Sequence, residues 1–174
     1  FSVLLRLADD TGRTISNLQE VLNTICHYAC IALNADQSGI VLYEPDGNTG
    51  LVRAQVKKIE VPGSHGSYQV VNHIHYPVID LAQNPAVETM RTDQRPLAIE
   101  DAQQDPRLAG DHVLFRMQGI SSILLVPLVI DGCVRGSLGV DSLHNRRRFK
   151  SEEIELAGLI AAIGAPGIEL LPAQ

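Results

Sequence analysis

Tryptophan is absent from the 174 residues, so an internal pocket has to be built mainly from aliphatic side chains. Cysteine is scarce. Cys26, Cys30 and Cys133 do not make a disulfide framework, and neither a Cys-x-x-Cys pair nor a Cys/His metal spacing occurs, so no metal site is expected. That usage fits a reducing cytoplasm. No apolar run approaches the ~18 residues a membrane-spanning helix needs, and no signal-peptide pattern opens the chain. Basic residues are outnumbered: 14 Lys and Arg against 20 Asp and Glu give a formal net charge of −6. That balance argues against the clustered positive surface that nucleic acid requires. The single basic run, Arg146-Arg147-Arg148 with Lys150 behind it, is expected to be a solvated loop. Internal repeats are missing, and the chain opens on Phe1, as expected of a piece of a longer polypeptide.

What is present is ordinary for a globular protein: 45% apolar and 20% charged residues, in a chain long enough for one domain with a proper core. Val3, Leu4 and Leu7 suggest an early helix. Ser16 and Gln19 form a capping box, and Leu18, Val21, Leu22, Ile25, Cys26, Ala29 and Leu33 recur at helical spacing up to about Asn34. Ser38–Tyr43 and Leu51–Ile59 then predict paired strands around the turn chemistry of Glu44–Asn48. The stretch Val61–His75 is expected to be a long loop and Tyr76–Ile79 a short strand. Asn84-Pro85 should open a short helix, followed by a strand at Arg95–Ile99, a loop, and a helix Gly110–Gln118 closed by Gly119. Ser121–Ile130 and Cys133–Leu143 read as a long hairpin turning at Asp131-Gly132. Pro127 inside the first of these strands argues for an edge or a bulge. Ser151 caps a last helix to about Ala165, where Pro166 should break or kink it. The order predicts an α+β fold, with a central antiparallel sheet of about six strands. Terminal helices cover one face, and an excursion of loops and short helices covers the other.

The runs Asp101-Ala102-Gln103-Gln104-Asp105-Pro106-Arg107, Gly119-Ile120-Ser121-Ser122-Ile123-Leu124-Leu125-Val126-Pro127-Leu128, Asp131-Gly132, Gly136-Ser137-Leu138-Gly139-Val140 and Phe149-Lys150-Ser151-Glu152-Glu153, in this order, resemble the landmarks of GAF domains. The resemblance divides the chain into an N-terminal helical linker (1–15), the GAF domain (16–165) and a C-terminal tail (166–174). It implies a pocket between the sheet and the excursion helices, and a sensory role inside multidomain signalling proteins such as histidine kinases, cyclases and transcription regulators. Asp111–Ile120 is similar to the bilin-attachment helix of phytochromes, where a Cys precedes the His. Here Asp111 precedes His112, and an aspartate cannot form the thioether, so no covalent bilin is expected. Asn145-Arg146-Arg147-Arg148-Phe149 faintly resembles a cyclic-nucleotide signature, but Phe149 anchoring the last helix is the expected reading. One GAF branch reduces methionine sulfoxide with cysteines around the pocket. No such cluster occurs here, nor a nucleophile elbow, so no enzymatic activity is expected.

The expected cavity is lined by Ile123, Leu125 and Val140, with Asp101, His112 and Arg116 at its rim. Ser121 shares the face of Ile123 and Leu125 by strand alternation. His112 and Arg116, one helical turn apart, could together hold a carboxylate or phosphate. Cys26 falls on the apolar stripe and is expected in the core, with all three thiols read as structural, while His73 and His75 offer an incomplete metal set in a polar loop. A small molecule of unknown identity is the expected ligand, its occupancy relayed through the terminal helices to a fused output domain. A ligand-free dimerisation module, and a haem or bilin sensor, are the alternatives. The last helix carries Ile154, Leu156, Leu159, Ile160 and Ile163, with Gly158 and Ala162 leaving a shallow surface. That apolar content predicts a homodimer through the terminal helices.

Overall fold

The computed structural model describes residues 18–66, 68–72 and 78–169. Ser16, the early apolar positions Val3, Leu4 and Leu7, and His73 and His75 lie outside the described residues. Helix α1, Leu18–Ala32, buries Val21, Leu22, Ile25, Cys26, Ala29 and Cys30 on one stripe, as its spacing predicts. Strands β1 (Gln37–Tyr43), β2 (Thr49–Glu60), β3 (Tyr68–Asn72) and β4 (Val78–Asp80) follow. Helix α2 (Pro85–Asp93) starts at the Asn84 cap, whose side chain accepts from the Val87 N–H. Strand β5 (Leu97–Ile99), a 3-10 segment (Pro106–Asp111) and helix α3 (His112–Gln118) complete the excursion. Strands β6 (Ile120–Ile130) and β7 (Cys133–Leu143) form the long hairpin, and helix α4 spans Ser151–Glu169.

The sheet has seven strands in the order β3-β2-β1-β7-β6-β5, with β4 paired to β2 off that path. The pairs are antiparallel. One face packs against α1 and α4 through Ile40, Ala54, Leu124, Leu138, Val140 and Ile160. The other face carries Ile123 and Leu125 against Met90, Leu108 and Phe115 of the excursion. The excursion is therefore a lid over the sheet.

Three sequence expectations are corrected. Strand β3 lies inside the stretch expected to be a loop; it is an edge strand with Tyr68, Gln69 and Asn72 exposed, so it carries no apolar alternation to betray it. Helix α4 continues through Pro166 to Glu169. The carbonyl that Pro166 leaves without a donor belongs to Ala162, an exposed residue, so solvent can satisfy it. The basic run is not simply solvated. The Arg147 guanidinium donates to the carbonyls of Leu33 (2.6 Å) and Asn34 (3.2 Å), pairs with Glu153, and lies 4.8 Å from the Phe149 ring centroid. It caps the C-terminus of α1 and ties it to the first turn of α4.

The hairpin holds a register change that decides which residues face the lid. Asp131 and Gly132 take φ of 53° and 75°, the primed turn expected, and pair Ile130 with Cys133 and Val129 with Val134. The next pair is Leu128 with Gly136, so Arg135 is an extra residue. Such a one-residue bulge sends every later side chain of β7 to the opposite face. Ile123 therefore stands opposite Asp141 and Leu125 opposite Gly139, while Val140 pairs with Leu124 and is wholly buried on the helical side. A second irregularity leaves Ser121 unpaired between Ile120↔Leu143 and Ser122↔Ser142. Pro127 lies past the last β5 pair, Leu97↔Leu125, where its missing N–H is not required by a β5 partner.

Candidate functional site

A partly open cavity of about 100 Å³ lies between the lid-facing sheet and the lid. Its floor includes Gly39 and Gly139, which stand directly opposite each other on the two central strands. Glycine inside a strand costs stability, and it commonly marks a place where something approaches the backbone closely. A Cβ on Gly139 would meet Asp141 Oδ1 and Ile123 Cδ1 at 3.7 Å, ordinary contact distance. Gly139 thus leaves room on the floor that a side chain would fill, whereas a Cβ on Gly39 would come within 3.2 Å of the Ala54 carbonyl oxygen, so that position is glycine for close strand packing. Ile123, Leu125, Val87, Leu108, Leu114 and Phe115 give the cavity its apolar wall.

Two carboxyls interrupt that wall. Asp141 is only 6% exposed; Gln37 donates to its Oδ2 at 2.7 Å, and its Oδ1 has no hydrogen-bond partner. Burial pushes this carboxyl up to about 7, the Gln37 bond pulling down and Asp36 pushing further up. Asp111, 9% exposed, lines the lid side and accepts from Asn84 Nδ2 at 2.8 Å. Burial raises it to about 6 against the opposing Asn84 bond, with a further push from Asp80 and a downward pull from His112. Asn84 caps α2 with its oxygen and holds Asp111 with its nitrogen, so one amide links the starts of α2 and α3. Among the described residues no Lys, Arg or His lines the cavity.

The structure separates the residues expected to act together. Ile123 and Leu125 line the cavity. Val140 faces away from it because of the Arg135 bulge. Ser121, displaced by the second irregularity, lines an open polar groove outside the lid together with Arg116, Lys57 and His144. His112 Nε2 lies 2.7 Å from the Asp105 carbonyl, which ties its ring to the 3-10 segment. Asp101 pairs with Arg146 at 2.7 Å. The anion pair imagined from His112 and Arg116 is therefore not assembled at the cavity. Asp141, Gly39 and Gly139 are the floor residues that sequence reasoning missed. Their signals were glycines within strands, which mark a close backbone approach, and an aspartate near the end of β7.

None of the three thiols reaches the cavity. Cys26 and Cys30 sit in the helical-side core, and Cys133 is exposed at the hairpin end. Burial pushes both core thiols up, Cys30 to about 11, which leaves them inert as thiolates. Among the described residues no group of three or more His, Cys, Asp or Glu is placed to hold a metal ion.

The family model for the GAF domain matches residues 16–169. The chain belongs to the GAF domain family. The GAF domain from an Acinetobacter phosphoenolpyruvate-protein phosphotransferase is 20% identical, with a TM-score of 0.69 over 96% of this chain and 90% of that one. The phycocyanobilin-bound GAF domain of a cyanobacterial phytochrome is 17% identical, with a TM-score of 0.70 over 97% and 92% of the two chains. Free methionine-R-sulfoxide reductase from Neisseria meningitidis, in complex with its substrate, is 16% identical, with a TM-score of 0.69 over 96% and 86%. At these identities the likeness is one of fold, shared by sensory and enzymatic GAF domains alike. No curated protein sequence matches the chain significantly.

Proposed function

We propose that this GAF domain is a ligand-sensing module of a multidomain signalling protein, that the lidded cavity is its binding site, and that it does no chemistry on its ligand. The supporting observation is the floor: two paired glycines on the central strands, beside a buried carboxylate oxygen without a partner. A domain selected for stability alone would fill the space at Gly139. Strands β1 and β7 carry the cavity floor on one face and the packing of α1 and α4 on the other. An occupant pressing on Gly39 and Gly139 therefore acts on the strands beneath the terminal helices. It carries a signal by favouring one arrangement of those helices over another. Thiol chemistry has no nucleophile at the cavity, and a covalent tetrapyrrole has no anchor there. A cavity of about 100 Å³ also suits a ligand much smaller than a tetrapyrrole.

Filling the floor separates binding in the cavity from binding anywhere else. Thermal unfolding against a panel of small amines, amino acids, purines and carboxylic acids is expected to give at least one compound that raises Tm of the parent chain by about 5–10 °C, as a ligand at ~100 times its Kd does in a domain of this size. The same compound should leave Gly139→Val unmoved. A panel whose compounds act equally on both proteins contradicts the proposal.

A second reading, self-association through the terminal helices, rests on Leu159, which is 45% exposed on α4. The surface is narrower than the sequence suggests. Ile154, Leu156 and Ile163 pack on the domain's own core, Ile160 is buried, and Gly158 faces Pro96. Light scattering at micromolar concentration is expected to give a dimer mass that falls to monomer in Leu159→Glu; a monomer mass for the parent chain removes this reading.

A further inference from the structure

We infer that the cavity takes a small organic ammonium ion, whose N–H groups donate to Asp141 Oδ1 and whose short apolar body lies over Gly39 and Gly139. This inference rests on the cavity being the binding site and adds the chemical class of its occupant.

Charge is the first argument. Among the described residues the charged side chains lining the cavity are Asp111 and Asp141, with no Lys, Arg or His beside them. An anionic ligand would meet two carboxyls with nothing to pair it, which is prohibitive in an apolar enclosure. Lys57, Arg116 and His144 line the outer groove instead.

Hydrogen bonding is the second. Asp141 is more than nine-tenths buried, and its Oδ2 is held by Gln37 while Oδ1 is unpartnered. A buried acceptor left open costs free energy that a donor recovers. A neutral alcohol would supply one hydrogen bond yet leave the carboxylate's charge uncompensated. An ammonium supplies both the hydrogen bond and the counter-charge. The position a Cβ would take on Gly139, 3.7 Å from Oδ1 and from Ile123 Cδ1, is empty. With no side chain at that position, a ligand carbon can reach van der Waals contact with the Gly139 Cα, on the side of the oxygen that its nitrogen would meet.

Size is the third argument. About 100 Å³ behind a lid of Leu114 and Phe115 accepts a handful of heavy atoms, mostly carbon. A short alkylamine, or the decarboxylated form of a small apolar amino acid, has that shape and charge.

The test is calorimetric titration of the 174-residue chain at pH 8 with n-butylammonium, n-butanol and n-butyrate. Butylammonium is expected to bind with Kd below about 1 mM, within the affinity that so few atoms can reach. Butanol should bind about 10- to 100-fold more weakly, because it supplies the hydrogen bond without the counter-charge, and butyrate should not bind measurably. Binding of butylammonium should vanish in Asp141→Asn and in Gly139→Val and persist in Asp101→Asn, which removes a carboxylate outside the cavity. The three-ligand comparison on the parent chain needs no variant to fold. Butanol or butyrate binding as tightly as butylammonium, in a manner abolished by Gly139→Val, overturns the ammonium inference and leaves the cavity as the site. Butylammonium binding unaltered by Gly139→Val overturns both. Failure of all three to bind overturns the ammonium inference.

Discussion

Asp141→Asn is expected to stabilise the unliganded domain at pH 8 by roughly 2 kcal/mol and to remove much of its pH dependence between pH 5 and 8. In the unfolded chain this carboxyl titrates near its ordinary value of about 3.9; in the folded domain burial raises it to about 7. Between those values the native state keeps a proton that the unfolded state has released, so raising the pH favours unfolding. The contribution is fully present below about pH 4 and lost as the pH climbs through 7. A shift of about three units sets a ceiling on the order of 4 kcal/mol. The smaller figure allows for the unpaired amide that Asn itself would bury. Asp111, raised to about 6, adds a slope of the same sign that survives in the variant. Urea unfolding at pH 5, 6.5 and 8 checks this. Stability of the parent chain rising with pH across that range, or Asp141→Asn less stable than the parent at pH 8, would show that the native fold compensates the Asp141 charge.

Arg147→Ala should lower stability by about 2–3 kcal/mol, and Tm by about 5–10 °C for a domain of this size. The substitution removes charge-assisted bonds to the carbonyls of Leu33 and Asn34, uncovers the Phe149 ring and leaves Glu153 without its guanidinium. Arg147→Lys should recover less than half of the loss, because a point charge cannot reach two carbonyls and a carboxylate at once as the planar fork does. Arg148→Ala, on an exposed side chain, should change stability by no more than about 0.5 kcal/mol. Calorimetric melting of the three variants decides it; Arg147→Ala indistinguishable from Arg148→Ala would show that the link between α1 and α4 carries no weight.

The frame of this fold was legible because its elements advertise themselves locally. The apolar stripe of α1, the Asn84-Pro85 start of α2 and the Asp131-Gly132 turn each follow from residue chemistry within a few positions, and each stands where that chemistry puts it. The site was less legible because it depends on register. An unbroken two-residue hairpin would set Ile123 opposite Val140; the bulge at Arg135 sets it opposite Asp141 instead. Nothing in the Cys133–Leu143 sequence announces that extra residue, and it exchanges an aliphatic floor for a carboxylate. Asp111 drew notice only as the replacement for a bilin thiol, yet it lines the cavity and bonds Asn84 of the facing helix start. Arg147 was hidden by its neighbours: of three consecutive arginines, contacts 113 and 114 positions away along the chain single out the middle one.

The most direct measurement is an amide NMR titration of the chain with n-butylammonium at pH 8. Occupation of the cavity predicts the largest shifts at Gly39, Gly139 and Asp141, with smaller ones at Asp111 and Phe115 of the lid, all saturating with a single affinity. Shifts centred instead on Lys57, Arg116, Ser121 and His144 would place binding in the outer groove and contradict a ligand held on the glycine floor.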